Sequence, residues 1–570
     1  MLISSRLRCV SLLLLTSAAF GAYKDDVRYT ELANELDLRG ISVPTGSGVS
    51  VTQVEAPVAT NAFKPNTADS QFSGKIITDQ TGGGTTSSHA TTVGKNLYGS
   101  TTSMAPSIAN IDIYEAQDWL DNKGWETSDP VAETNPLQNH SWVGFTLNNE
   151  ATARMDFAVE RDGFLPIAGL YNSDFGEQTI PSNIPEIYGS MYNGITVGVS
   201  DGTHRTGVTS ASDGPGRIKP EIVAPNSFTS FATPYITAAA AMLIESANSD
   251  VNAKQQQVLK AILLAGANKT PFTNWNQTTL RPLDDIYGAG QLDVYGSYFI
   301  QQSGQQIAGS TIEESGWNFA NLGSNSSHTY TISVPNGFTL RNLSALITWN
   351  RTVTSALERV RGQEINVYTP NTLANMSLTL AEQPSGISQI SNSAVDNIEH
   401  IWRDSSNELA TGDYTLTVAT NSATDYAIAW RSELYQDYSL WSSTAFTAST
   451  PVDQRDATDD PDADGIENLL EQAFGGDPEG NDISILPISE TIEDSGQSYL
   501  QVSYRKPDFD NGLTYTVETV TDLNGTWSSE VELISIAAEA SGFDRYTYRR
   551  TLKVADASKA FLRVQISETP

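Results

Sequence analysis

Residues 216–247 read GRIKPEIVAPNSFTSFATPYITAAAAMLIESA. At their centre, Thr229-Ser230-Phe231-Ala232-Thr233-Pro234 leads into Ala238 to Leu243, a run of small and apolar residues with high helix propensity. Proline is tolerated in a first helical turn, so the pattern predicts a helix that opens around the serine. Its small side chains let such a helix pass deep through a core. A serine at that end sits beside unpaired backbone N–H groups and the positive end of the helix dipole, where a developing oxyanion is stabilised. Ser230 is therefore the candidate nucleophile.

With Arg217 to Pro225 before it, the hexapeptide resembles the serine segment of the subtilisin-like serine peptidases, the subtilases. The resemblance implies an α/β domain with a parallel sheet and peptide-bond hydrolysis through an acyl-enzyme. Ser87-Ser88-His89-Ala90-Thr91-Thr92-Val93-Gly94 resembles the histidine segment of the same family, which makes His89 the general base. Acid, base, nucleophile is the chain order of that clan. A histidine also argues against an acid mechanism built on carboxylates alone, as in the sedolisins.

The triad acid is expected at the end of a strand upstream of His89. Gly48 to Glu55 alternates apolar and polar residues and ends at a carboxylate. Glu55 takes a place usually held by aspartate; the extra C–C bond, about 1.5 Å, requires the strand end to sit back from the imidazole. Gly74 to Asp79 also reads as a strand ending in a carboxylate, but the short Gly82-Gly83-Gly84 link to His89 leaves no room for a parallel α/β connection. Glu55 is the expected acid and Asp79 the alternative.

Two further segments follow the family pattern. Asn139-His140-Ser141-Trp142-Val143-Gly144 matches the stretch whose backbone pairs with substrate, so Ser141, Trp142, Val143 and Gly144 are expected to bind it. Phe164 to Asn172 is an apolar strand leading into an asparagine, the expected oxyanion donor, with Asn183 and Asn193 as alternatives. Phe228 stands where the family has glycine, and the link from Pro225 to Ser230 is short. Both features reshape the leaving-group side of the cleft.

The 570 residues exceed one core, and roughly three to four domains are expected. A net charge of −34 argues against nucleic acid and anionic membranes as partners, and the subtilase resemblance implies protein or peptide substrates. Arg6 and Arg8, the apolar run Val10 to Leu15 and small residues up to Ala22 read as a secretory signal peptide over 1–22, with cleavage between Ala19 and Ala22. That places the protein outside the cell, with the periplasm or cell surface as alternatives. Cys9 falls within this leader, so the mature chain is expected to lack thiols, and no later stretch reads as a transmembrane segment. Residues 23–40 suggest at most one short helix, leaving no space for the family's propeptide domain within a catalytic domain of 23–300.

Residues 301–450 carry short alternating strands, such as Thr329 to Val334 and Tyr414 to Val418, that predict an antiparallel sandwich, and the segment resembles the jelly-roll domains appended to secreted bacterial peptidases. Residues 481–570 read as a second β-sandwich, and either module offers a surface for a polymer or a cell envelope. Between them, 451–480 contains Asp460-Pro-Asp462-Ala-Asp464-Gly465-Ile466-Glu467-Asn468-Leu469-Leu470-Glu471, which resembles the calcium loop of EF-hands and dockerins. The resemblance implies Ca²⁺ held by Asp460, Asp462, Asp464, the Ile466 carbonyl, Asn468 and Glu471, with Asp477 as an added donor. The sequence thus predicts an α/β, subtilisin-like parallel-sheet domain followed by two β-sandwich domains, acting as a secreted serine endopeptidase with structural calcium. The competing reading is an inactive homologue that binds or adheres through its β modules.

Overall fold

The computed structural model describes residues 22–123, 129–144, 149–172, 187–207, 213–360, 363–383, 386–539, 542–557 and 559–569. Residues 1–21 of the expected leader, with Cys9, and Asn183 lie outside them. Nine strands come first: β1 (Ser50–Glu55), β2 (Ala62–Lys64), β3 (Ile76–Asp79), β4 (Thr85–Thr86), β5 (Asn110–Glu115), β6 (Leu137–His140), β7 (Leu165–Gly169), β8 (Ile195–Val199) and β9 (Ile222–Ala224). Seven of them form one parallel sheet in the order β3-β5-β1-β6-β7-β8-β9. Residues of β7 and β8 are buried throughout, as a sheet covered on both faces demands. β2 pairs separately with β4 beside this sheet.

The helices of this part are α1 (Ala22–Asp26), α2 (Tyr29–Leu38), α3 (Ser88–Tyr98), α4 (Ala116–Asn122), α5 (Asn149–Asp162), α6 (Thr229–Ser246), α7 (Gln256–Gly266) and α8 (Val294–Gln302). The expected helix at the serine is α6. It packs across β6, β7 and β8 with Ala238 to Leu243 buried. Where one short helix was expected over 23–40, two form. Between them Arg28 adopts a left-handed φ of 57°, held by Glu31 at 2.7 Å and Asp293 at 2.9 Å.

After α8 the chain turns to antiparallel β-structure. One sheet runs Thr311–Ile312, Ser326–Val334, Gly412–Thr420, Met376–Glu382 and Gly386–Ser391 in spatial order; the other runs Ser315–Leu322, Thr424–Tyr435, Thr339–Trp349 and Ile398–Arg403. Leu378, Leu416, Leu343 and Trp430 belong to the buried core of this sandwich. Helix α7 is buried along its whole length and packs on Thr339–Trp349 and Thr424–Tyr435. Trp317, Leu346, Ile398, Ala427 and Ala429 consequently share one core cluster with the α/β part. Each fully buried aliphatic side chain there contributes roughly 1.5–3 kcal/mol, so the two parts stabilise one another.

Helices α9 (Tyr438–Ala445) and α10 (Asn468–Phe474) lead to the last β unit. It has a four-stranded sheet, Ile488–Asp494, Gln497–Pro507, Phe543–Arg550 and Val531–Ala538, and a pair, Leu513–Val520 with Phe561–Glu568. They enclose a separate core of Ile466, Phe474, Val502, Val517 and Ile536, in which the Tyr504 ring stacks with Tyr515 and Tyr546. Arg39 at the end of α2 pairs with Asp544 at 2.8 Å and ties this unit to the first one. Among the described residues no helix is long and apolar enough to cross a membrane.

Candidate active site

Glu55 ends β1 and His89 is the second residue of α3, whose start is capped by the Ser87 hydroxyl accepting from Ala90 N–H at 3.1 Å. Glu55 Oε2 and His89 Nδ1 stand 2.8 Å apart, so the longer glutamate does reach the imidazole from the strand end. The other carboxylate oxygen accepts from Gln53 Nε2 at 2.8 Å. Burial pushes the Glu55 carboxyl up, against the hydrogen bond and charge of His89 and the hydrogen bond of Gln53. For His89, burial opposes protonation, but the hydrogen bond and charge of Glu55 together outweigh it and raise the pKa above 6.5. A carboxylate on Nδ1 leaves Nε2 as the free proton acceptor.

Ser230 is likewise the second residue of its helix, α6, which packs against α3. The first N–H groups of α6 are divided among fixed acceptors. Thr229 N–H donates to Asn172 Oδ1 at 2.8 Å, and the N–H groups of Phe231 and Ala232 donate to the Phe228 carbonyl at 3.0 and 3.1 Å. Among the described residues the Ser230 N–H has no such acceptor. With Oδ1 anchored, the Asn172 amide keeps its Nδ2 donors for a ligand. Pro234, expected in the first turn, lies one turn further inside α6. It lacks the N–H that would bond the Ser230 carbonyl, and Ser141 Oγ donates to that carbonyl instead at 2.8 Å.

One cleft of about 240 Å³ is lined by His89, Ser230 and Asn172 together with Ser141, Trp142, Val143, Gly169 and Tyr171. Gly169 ends β7 where a Cβ would meet the Thr233 hydroxyl at 2.8 Å, so the strand and α6 approach through glycine. His89 Nε2 and the Ser230 hydroxyl make no hydrogen bond to each other, the looser geometry common to sites without substrate. Phe228 is 49% exposed and packs its ring edge against Phe231, which in turn lies beside the His89 ring.

No family model matches the chain, and no curated protein matches it. Among solved structures it is similar to the prenylagaramide maturation protease PagA, at 17% identity over 44% of this chain and 92% of that one, TM-score 0.31. The self-cleaved protease domain of PatA gives 16% identity over 45% of this chain and 98% of that one, TM-score 0.31. A pre-peptidase C-terminal domain of a Bacillus anthracis collagenase gives 12% identity over 22% of this chain and 99% of that one, TM-score 0.15. The chemistry of the cleft stands on its own geometry.

Of the alternatives left by the sequence, Asp79 ends β3 at the far edge of the sheet, where its oxygens accept from Gly82 N–H at 2.8 Å and Gly84 N–H at 3.0 Å. Asn193 is buried and donates to the Asp156 and Arg351 carbonyls, away from the cleft lining. Trp142 both packs and lines the cleft: its Nε1 donates to His140 Nδ1 at 3.2 Å and its ring meets Tyr188 edge-on. Gly144 is outside the lining, beside Ile187. Burial pushes His140 down to about 3 and His204 down to about 4, which marks both as neutral, structural rings. Sequence reading missed Gln53, whose only signal is its place two residues before Glu55 on the same face of β1. Tyr98 in turn donates to Gln53 Oε1 at 2.7 Å, so the acid is held through a chain of fixed side chains.

The acidic loop forms a second constellation. Asp460, Asp462 and Asp464 bring carboxylate oxygens within 4.8 Å of one another, and Asp464, Glu471 and Asp482 do the same. Glu471 is 1% exposed. Both its oxygens, with Asp460 Oδ1, Asp462 Oδ2, Asn468 Oδ1 and Asp482 Oδ1, are buried without a hydrogen-bond partner. Burial, then the charges of Asp482, Asp464, Asp462 and Asp477, push Glu471 up to about 8. Orphaned buried oxygens of this kind fit a hard divalent cation. Asn468 donates to the Gln454 and Asp456 carbonyls, and Asp477 accepts from Glu479 N–H at 3.1 Å in its own turn. Ile466 packs its side chain into the C-terminal core.

Proposed function

We propose that this protein is a secreted serine endopeptidase of the subtilase type, acting through Glu55, His89 and Ser230. The observation that carries the reading is the buried Glu55 carboxylate 2.8 Å from His89 Nδ1, with His89 and Ser230 on one cleft. Ser230 Oγ attacks the peptide carbonyl while His89 Nε2 takes its proton. The oxyanion of the tetrahedral intermediate accepts from Asn172 Nδ2 and from the Ser230 N–H. His89 then gives the proton to the leaving amine, and the acyl-enzyme is hydrolysed by a water that His89 activates. Ser141, Trp142 and Val143 wall the bound peptide. Arg6, Arg8 and the apolar run after them support export. The acidic loop holds structural calcium through Asp460, Asp462, Asp464, the Ile466 carbonyl, Asn468 and Glu471.

A fluorophosphonate probe tests the reading. It is expected to label the parent and not Ser230→Ala, with equal melting temperatures for the two proteins. Labelling of both would remove Ser230 from the mechanism. Labelling of neither, in folded protein, would favour the binding or adhesion reading, for which the open Ser230 to His89 link and the bulk of Phe228 beside it would be the cause.

A further inference from the structure

We propose that Asp482, which lies outside the twelve-residue loop, is a calcium ligand, so that the ion clips the loop to the turn that opens the C-terminal β unit. This rests on the calcium reading of the loop given above. Two trios of carboxylate oxygens, Asp460 with Asp462 and Asp464, and Asp464 with Glu471 and Asp482, each lie within 4.8 Å. That span is about twice a Ca²⁺–oxygen distance of roughly 2.4 Å, so each trio reaches a common centre, and Asp464 belongs to both.

The orientation of the side chains is built in. Asp482 N–H donates to Asp464 Oδ2 at 3.1 Å, and Asp482 Oδ2 accepts from Asp477 N–H at 2.8 Å. Its Oδ1 is left buried and without a partner, beside the two unpartnered oxygens of Glu471. A Cβ at position 476 would meet Glu471 Oε2 at 1.5 Å, so Gly476 leaves the space that this carboxylate fills. Among the described residues no lysine or arginine pairs with Glu471 or Asp482. Asn468 Nδ2 donates to the Gln454 and Asp456 carbonyls, and its Oδ1 is left buried and unpartnered. Asp460, Asp462, Asp464, the Ile466 carbonyl, both oxygens of Glu471 and Asp482 then supply about seven oxygens, within the range calcium takes.

The sequence motif ends at Glu471, so it offers no place for Asp482. The added ligand changes what the ion does. It joins residues on both sides of α10 and fixes the entry to a β unit whose core includes Ile466 and Phe474.

The test is calcium titration of the full-length mature protein by calorimetry, for the parent, Asp482→Asn and Asp477→Asn, with melting curves in chelator and in calcium. Asp482→Asn is expected to weaken calcium binding at least about tenfold, while Asp477→Asn stays within about twofold of the parent. In chelator, Asp482→Asn should melt no lower than the parent, because it removes one of the facing carboxylates. A merely structural role would lower that melting temperature instead. Parental calcium affinity in Asp482→Asn, or a melting temperature lowered in chelator, would overturn the proposal. A parent that binds no calcium would remove the loop reading itself.

Discussion

Glu55 and Glu471 are both buried, at 0% and 1% exposure, and they differ in what faces them. Each oxygen of Glu55 has a side-chain partner, His89 on one and Gln53 on the other. Neither oxygen of Glu471 has any, and its neighbours are carboxylates. A charge can be buried only if something returns the solvation it loses. At the cleft the protein supplies that itself, and the result is an oriented imidazole. At the acidic loop the protein supplies only like charge, and the calcium ion proposed above would return the lost solvation. On the proposed function, the first pair orients a catalytic ring and the second cluster stabilises the fold through a shared ion.

The largest test of this contrast is to break the cleft pair. Glu55→Gln is expected to lower kcat about 10⁴-fold, whereas Asp79→Asn leaves activity unchanged. The pH profile sharpens it. His89 must be neutral to accept a proton, so kcat/KM should rise with pH through a pKa displaced above 6.5 by Glu55. In Glu55→Gln that rise should move to lower pH, because burial then acts on the ring without an opposing charge. A limb that stays in place would show that Glu55 does not set the protonation of His89.

A smaller effect is expected at the oxyanion donor. Asn172→Ala should cost about 10²- to 10³-fold in kcat with little change in KM, measured on a peptide ester or amide. An equal rise in KM would point to loss of the anchor on Thr229 rather than loss of an oxyanion bond.

At the acidic loop, calcium at 100 times its dissociation constant should stabilise the C-terminal unit by about 2.7 kcal/mol. Differential scanning calorimetry would read this as a raised transition. Asp462→Ala with Glu471→Ala should abolish the rise, and peptide hydrolysis at room temperature should persist in chelator. The cleft would lose its independence from the ion if chelation stopped turnover directly.

The two β units differ in the same way. The first shares one continuous core with the parallel sheet and packs on α7, so its removal would uncover part of that helix. The last unit has its own core and touches the first part through Leu38 and the Arg39–Asp544 pair. Both units read alike in sequence as alternating strands, because period-2 alternation reports one buried face and not what covers it.

Much of the cleft is legible in sequence because its parts are local. A serine before a small-residue helix, a histidine at the start of another and a carboxylate at a strand end each sit within one short window. The parallel sheet follows from apolar strands separated by helices for the same reason. What only the tertiary structure decided are contacts between windows: Gln53 behind Glu55, Ser141 on the carbonyl that Pro234 frees, Asp482 beside Glu471, and α7 between two sheets. Local patterns specify which face of an element is apolar and where it ends. Which distant side chains then meet is settled by packing, where most buried polar atoms find a partner within about 3 Å.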